Sequence, residues 1–164
     1  MEEIKDITVA FTGHRTYRHE ADDELRLLVR RLYADGYSRF LCGMAWGFDL
    51  AAGEIVAELK QEHPEVELIA VVPHKGFFQL FRGEDAEQYK RVADIADGAE
   101  FLSDVPSDRS YLRRNDFLVD NATVVVAWWD GVPRGGTAYT LRRARHAGCR
   151  VINLYPDPQL DFGF

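Results

Sequence analysis

The sequence predicts an α/β fold with a mostly parallel sheet and right-handed crossovers. Apolar, β-rich runs alternate along the chain with segments of helical periodicity. Two of those runs, Leu68-Ile69-Ala70-Val71-Val72 and Thr123-Val124-Val125-Val126-Ala127-Trp128-Trp129, are apolar almost throughout, as strands covered on both faces are. Most of the runs end in a short polar or glycine-bearing turn, so these turns share the sheet edge at which ligands of such folds sit. A chain of 164 residues fits one domain, 1–164, large enough to bury a proper core.

Ile7-Thr8-Val9-Ala10-Phe11 reads as the first strand, followed at once by the polar turn Thr12-Gly13-His14-Arg15. Leu25, Leu28, Val29 and Leu32 then fall at helical spacing, and Gly36 stands where that helix stops. Phe40-Leu41-Cys42 is the second strand. It leads through Gly43-Met44-Ala45-Trp46-Gly47 into a helix from near Phe48, with Phe48, Ala51, Ala52, Ile55 and Leu59 on one stripe. Pro64 precedes the third strand, which stops at Pro73-His74-Lys75. Residues 76–82 crowd three phenylalanines without a clean period; a lid or a subunit contact is one reading, packing against the body the plainer one.

A helix from about Asp85 to Ala96 and a short strand, Ala99 to Leu102, come next. Ser110 is placed to cap the following helix, whose apolar stripe is marked by Leu112, Val119 and Ala122. Asn115 shares that stripe, and an inward amide must find a partner, either a neighbouring loop or a ligand. Arg113 and Arg114 beside it are one of the chain's few local concentrations of positive charge, unless both are simply solvated. The run Thr123 to Trp129 ends at Asp130-Gly131. Val132-Pro133-Arg134-Gly135-Gly136-Thr137 then opens a helix carrying Ala138, Leu141, Ala144 and Ala147, ended by Gly148 before the last strand, Arg150 to Tyr155. The tail, about 156–164, reads as irregular.

Composition narrows the function. A net charge of −7 opposes nucleic acid and anionic membranes at long range and leaves a small anionic ligand in a focused pocket as the easier partner. Cys42 and Cys149 lie in separate apolar runs and read as buried thiols of a reducing, cytoplasmic protein. No run approaches the ~18 apolar residues of a membrane span. His14, His74, Asp49 and Asp130 show no local ligand spacing, so no metal is assigned.

Two glycine turns at helix N-termini, Gly43 to Asp49 and Gly135-Gly136-Thr137, are suited to hold a phosphate between them. An ordinary tight connection also explains each turn alone. Thr137 would donate a hydroxyl and Arg15 or Arg114 a charged fork, while Asp49 suits a ribose hydroxyl or an amino group. A Gly-x-Gly-x-x-Gly fingerprint after the first strand, a P-loop and a Gly-x-Ser-x-Gly elbow are all missing.

Thr12-Gly13-His14-Arg15, Gly43-Met44-Ala45-Trp46-Gly47-Phe48-Asp49, Arg114-Asn115 and Gly135-Gly136-Thr137, in that order over nearly the whole chain, resemble the YpsA-like branch of the SLOG superfamily. Its relatives include the LOG phosphoribohydrolases and the DNA-processing protein DprA. The resemblance implies a Rossmann-like three-layer sandwich, frequently a homodimer, with a site for a nucleotide or ADP-ribose-like ligand. On this sequence that site comprises Thr12, Gly13, His14, Arg15, Gly43, Met44, Ala45, Gly47, Asp49, Arg114, Asn115, Asp130, Gly135, Gly136 and Thr137. LOG enzymes use an arginine and a glutamate three positions after the glycine-threonine turn; here that position is Thr140, which offers no carboxylate, and no catalytic residue is assigned. Three readings follow: a nucleotide-binding sensor or regulatory module in which Gly43, Gly47, Gly135, Gly136 and Thr137 hold phosphate while Asp49 and Asn115 read sugar or base; a hydrolase of a nucleotide's N-glycosidic or phosphate linkage with Asp49 or Glu54 as base; and DprA-like binding of single-stranded DNA. The last would use Arg113, Arg114 and Arg134 on phosphates and Trp128 or Trp129 for stacking.

Overall fold

A computed structural model describes residues 3–156. A 3-10 turn, Ile4–Ile7, precedes β1 (Thr8–Gly13), α1 (Asp22–Ala34), β2 (Arg39–Cys42), α2 (Phe48–Glu62) and β3 (Glu67–Val72). A second 3-10 turn, Phe77–Leu80, leads to α3 (Gly83–Ile95), β4 (Gly98–Phe101), α4 (Asp108–Asp120), β5 (Val124–Trp128), α5 (Gly135–His146) and β6 (Arg150–Asn153). The strands form one sheet in the order β4-β3-β2-β1-β5-β6, parallel at every pairing.

Alternation along each strand divides the core into two faces. Val9, Phe11, Phe40, Cys42, Leu68, Ala70, Val124 and Val126 pack on one side with Leu25 and Val29 of α1, Phe48 and Ile55 of α2 and Val92 of α3. On the other side Ala10, Leu41, Ile69 and Val71 meet Leu118 and Ala122, and Val125 and Ala127 meet Val119, Leu141 and Ala144. The result is a Rossmann-like three-layer arrangement, with α1, α2 and α3 over one face and α4 and α5 over the other. Arg26 to Glu58 and Arg30 to Glu62, each at 2.8 Å, tie α1 to α2 along their outer edges.

Several local expectations shift. Thr12 and Gly13 belong to β1 itself. Helix α4 begins earlier than expected: Ser107 is its cap, and Ser110 sits in the first turn, where the two serines bond each other's backbone amides. Leu112 is exposed, because the buried side of α4 is set by Ser110, Arg114, Asn115, Leu118 and Val119. Residues 76–82 pack against the body: Phe77 and Phe81 are buried beside Tyr89, and only Phe78 and Leu80 of the apolar residues stay open to solvent. Cys42 is buried, whereas Cys149 is half-buried. Among the described residues no helix is long and apolar enough to cross a membrane. Of the expected irregular tail, 157–164 lie outside the described residues.

The strand order changes direction between β1 and β5, since β2 lies on one side of β1 and β5 on the other. At such a switch point the loops after the two strands diverge and leave a crevice.

Candidate functional site

A cavity of about 530 Å³ occupies that crevice. The loop after β1 contributes Thr12, Gly13, His14, Arg15 and Thr16, and the loop after β5 contributes Asp130 and Arg134. Ala45 comes from the turn before α2, Asp49 from the first turn of α2, and Tyr111, Arg114, Asn115 and Leu118 from α4. Gly135, Gly136 and Thr137, the first turn of α5, complete the wall.

That turn is open. No side chain caps α5, and the amides of Gly135, Gly136 and Thr137 have no acceptor among the described residues. Gly135 has φ +92, a conformation costly for other residues, and among the described residues nothing stands within 4 Å of where its Cβ would be. Free amides at the positive end of a 12-residue helix favour an anion. Three arginines against two aspartates line the cavity, in contrast to the acidic chain as a whole.

The turn before α2 is closed by the protein itself. Asp49 Oδ2 accepts from the Ala45 amide at 3.3 Å, the Phe48 amide donates to the His14 carbonyl at 3.2 Å, and the Leu50 amide donates to the Ala45 carbonyl at 3.2 Å. Gly47 has φ +87, and a Cβ there would stand 2.7 Å from the Arg15 backbone. A Cβ at Gly43 would meet Asp49 Oδ2 at 2.8 Å and Arg114 Nη1 at 3.1 Å. These glycines let two loops and two buried charges approach one another. They do not present amides to the cavity.

Asp49 and Arg114 flank Gly43 and are both buried. Burial pushes the Asp49 carboxyl up to about 6, against the opposing pull of Arg114 and of the Ala45 amide, and its Oδ1 has no hydrogen-bond partner among the described residues. Arg114 donates through Nη1 to the Gly43 carbonyl and through Nε to Asn115 Oδ1 at 2.9 Å; burial lowers the pKa of its guanidinium. Where the loops after β1 and β5 meet, His14 Nε2 lies 3.1 Å from both the amide nitrogen and Oδ1 of Asp130. Asp130 is held below the usual carboxylate range, first by the Val132 amide and also by His14. Arg15 lies over the Trp46 ring at 4.4 Å.

Residues 9–153 match the sequence model of the YspA SLOG family. The chain belongs to that family. Relatives of this SLOG chain include the SPbeta prophage-derived protein YoqJ of Bacillus subtilis, 27% identical over 150 residues, covering 82% of this chain and 87% of YoqJ. A UPF0398 protein of Enterococcus faecalis is 27% identical over 159 residues, covering 89% of this chain and 87% of the relative. UPF0398 protein YpsA of Bacillus subtilis is 23% identical over 149 residues, covering 83% of each. Among solved structures, DNA processing protein A (DprA) of Streptococcus pneumoniae superposes with a TM-score of 0.69 at 19% identity, over 94% of this chain and 52% of that one. DprA of Helicobacter pylori, solved to show its single-stranded DNA binding mode, gives 0.68 at 21%, over 95% of this chain and 72% of that one. The chain thus spans about half the length of the Streptococcus pneumoniae protein, and these two likenesses show the fold.

Within this SLOG fold, twelve of the residues expected at a ligand line the cavity together: Thr12 to Arg15, Ala45, Asp49, Arg114, Asn115, Asp130 and Gly135 to Thr137. Gly43, Met44 and Gly47 do not reach its wall; Met44 is wholly buried in the core. Sequence reasoning missed Thr16, Tyr111 and Leu118. Tyr111 and Leu118 lie three residues before Arg114 and three after Asn115, so helical spacing from that pair would have found both. Thr140 is buried and donates to the Gly136 carbonyl at 2.8 Å. Glu54 sits elsewhere, held by Arg91 at 2.7 Å and Gln88 at 3.0 Å. His74 is buried against Tyr111 and Phe77. Among the described residues no three His, Cys, Asp or Glu side chains gather as metal ligands do.

Proposed function

We propose that this cavity binds a nucleotide or nucleotide-derived ligand, with a phosphate at the first turn of α5 and a sugar hydroxyl or amino group at Asp49, in a sensor or regulatory role. One observation carries the reading: an uncapped, donor-rich helix turn lines the same cavity as Asp49, whose buried Oδ1 lacks a partner among the described residues. A phosphate satisfies the first, and a hydroxyl or amine satisfies the second. The cavity volume falls in the range of small-molecule sites. Turnover is not required by this arrangement. The LOG glutamate position is Thr140, and Glu54 is engaged by α3.

Thermal unfolding with AMP, ADP, ADP-ribose and NAD tests the reading. At least one should raise the midpoint, and Gly136→Asp should remove the rise by setting a carboxylate among the turn's amides while leaving the fold intact. No rise with any of them would overturn it. Free base or phosphate appearing in the same samples, and vanishing in Asp49→Asn, would favour the hydrolase reading.

The likeness to DprA supplies the second reading, contact with single-stranded DNA along this edge. Trp128 is buried under His14 and Tyr17, which removes it as a stacking platform. Trp129 is more open, but its Nε1 is bonded to the Val132 carbonyl and Arg145 lies over its ring. Oligonucleotide binding that weakens steeply with salt would decide for this alternative.

A further inference from the structure

We infer that Asn115 selects for an anion at the α5 turn and that Arg114 is the positioning residue that aims it. The inference rests on the nucleotide reading above and names the residue that sets the ligand's charge.

Asn115 is 7% exposed, and its side chain faces two different neighbours. Arg114 Nε stands 2.9 Å from Oδ1. A guanidinium only donates, so the amide atom turned toward it must be the oxygen, and the nitrogen is turned away. The nitrogen faces the α5 turn: a Cβ on Gly136 would lie 3.6 Å from Nδ2, and Nδ2 has no acceptor among the described residues. Arg114 cannot swing to release the amide, since Nη1 is fixed on the Gly43 carbonyl and the side chain is buried. A hydrogen-bonded relay therefore runs from the closed turn through Arg114 to Asn115, and it ends in a donor at the open turn.

The consequence is chemical. The amides of Gly135, Gly136 and Thr137 only donate, and Asn115 adds further N–H groups to the same place. A phosphoryl group, with several charged acceptor oxygens, satisfies such a set; an uncharged hydroxyl satisfies one member of it. Arg114 acts here through Asn115, with two of its donors already spent inside the protein.

AMP and adenosine, titrated side by side into the whole chain, test this. Asn115→Asp keeps an oxygen for Arg114 and sets a second, charged oxygen where Nδ2 stood. AMP affinity should fall at least about tenfold, while adenosine affinity changes by less than about threefold. Arg114→Lys cannot hold both Gly43 and Asn115, and should weaken AMP by several-fold with the same indifference to adenosine. In the wild type, the Asn115 side-chain amide signal, identified by its loss in Asn115→Ala, should shift with AMP and stay in place with adenosine. This last measurement decides the matter even if Asn115→Asp fails to fold. AMP binding unchanged in Asn115→Asp, an equal loss of both ligands, or an amide signal indifferent to AMP would overturn the inference while leaving the nucleotide reading standing. A wild type that binds neither ligand would overturn this inference as well, and the nucleotide reading itself would fall if ADP, ADP-ribose and NAD also failed to bind.

Discussion

The two glycine turns use the same residue for opposite ends. Before α2, Gly43 and Gly47 make room for protein: Asp49, Arg114 and the Arg15 backbone occupy the space their side chains would fill, and carbonyls or a carboxylate take up neighbouring amides. Before α5, among the described residues, a Cβ on Gly135 would meet nothing within 4 Å, one on Gly136 would meet a single atom at 3.6 Å, and the amides are unspent. A strand, a glycine turn and a helix start are therefore not enough to make a phosphate cradle. What separates a packing joint from a binding turn is whether the chain has already filled it.

The contrast can be broken at each turn. Gly47→Ala should be the most damaging, costing about 3 kcal/mol or more in urea unfolding, since it adds a backbone overlap to a positive φ. Gly13→Ala, with the Phe48 ring 2.5 Å from the new Cβ, should approach it. Asp49→Asn comes next, in the other direction. The Asp49 carboxyl rises from 3.8 to about 6 on folding, so the folded chain holds a proton that the unfolded chain has lost; stability falls as pH rises through that window and stays reduced above it. The variant should therefore be more stable than wild type by about 2 kcal/mol at pH 7.5, with the difference closing below pH 4. It should also weaken the ligand.

Gly135→Ala should cost only about 1 kcal/mol, the penalty of a left-handed backbone with no clash. Gly136→Ala should lie within about 0.5 kcal/mol of wild type in the same unfolding assay, because its contact is an ordinary one. Were the two α5 glycines as intolerant as Gly47, the distinction between a filled and an open turn would not hold.

Most of the fold was legible because its signals are local. Every residue of the α2 stripe, Phe48, Ala51, Ala52, Ile55 and Leu59, is buried, and the apolar runs are the strands. The phase of α4 was harder to see. Its inner side buries Ser110, Arg114 and Asn115, and a stripe drawn from apolar residues alone takes in Leu112, which faces solvent. Its start was misplaced because Ser107 and Ser110 are chemically equivalent caps and bond each other. The gathering of polar turns on one edge followed from the parallel topology. The closing of the first turn did not, since it depends on Arg114 reaching Gly43 across 71 positions of sequence.

Two of the cavity's basic residues rest on tryptophan. Arg15 covers Trp46, and His14 meets Trp128 edge-on at 6.0 Å. Indole emission responds to displacement of a side chain packed against the ring, so the molecule carries an intrinsic optical reporter beside each of these two residues. Occupancy can be followed by fluorescence without any label, and Trp46→Phe or Trp128→Phe assigns the signal to one side of the cavity.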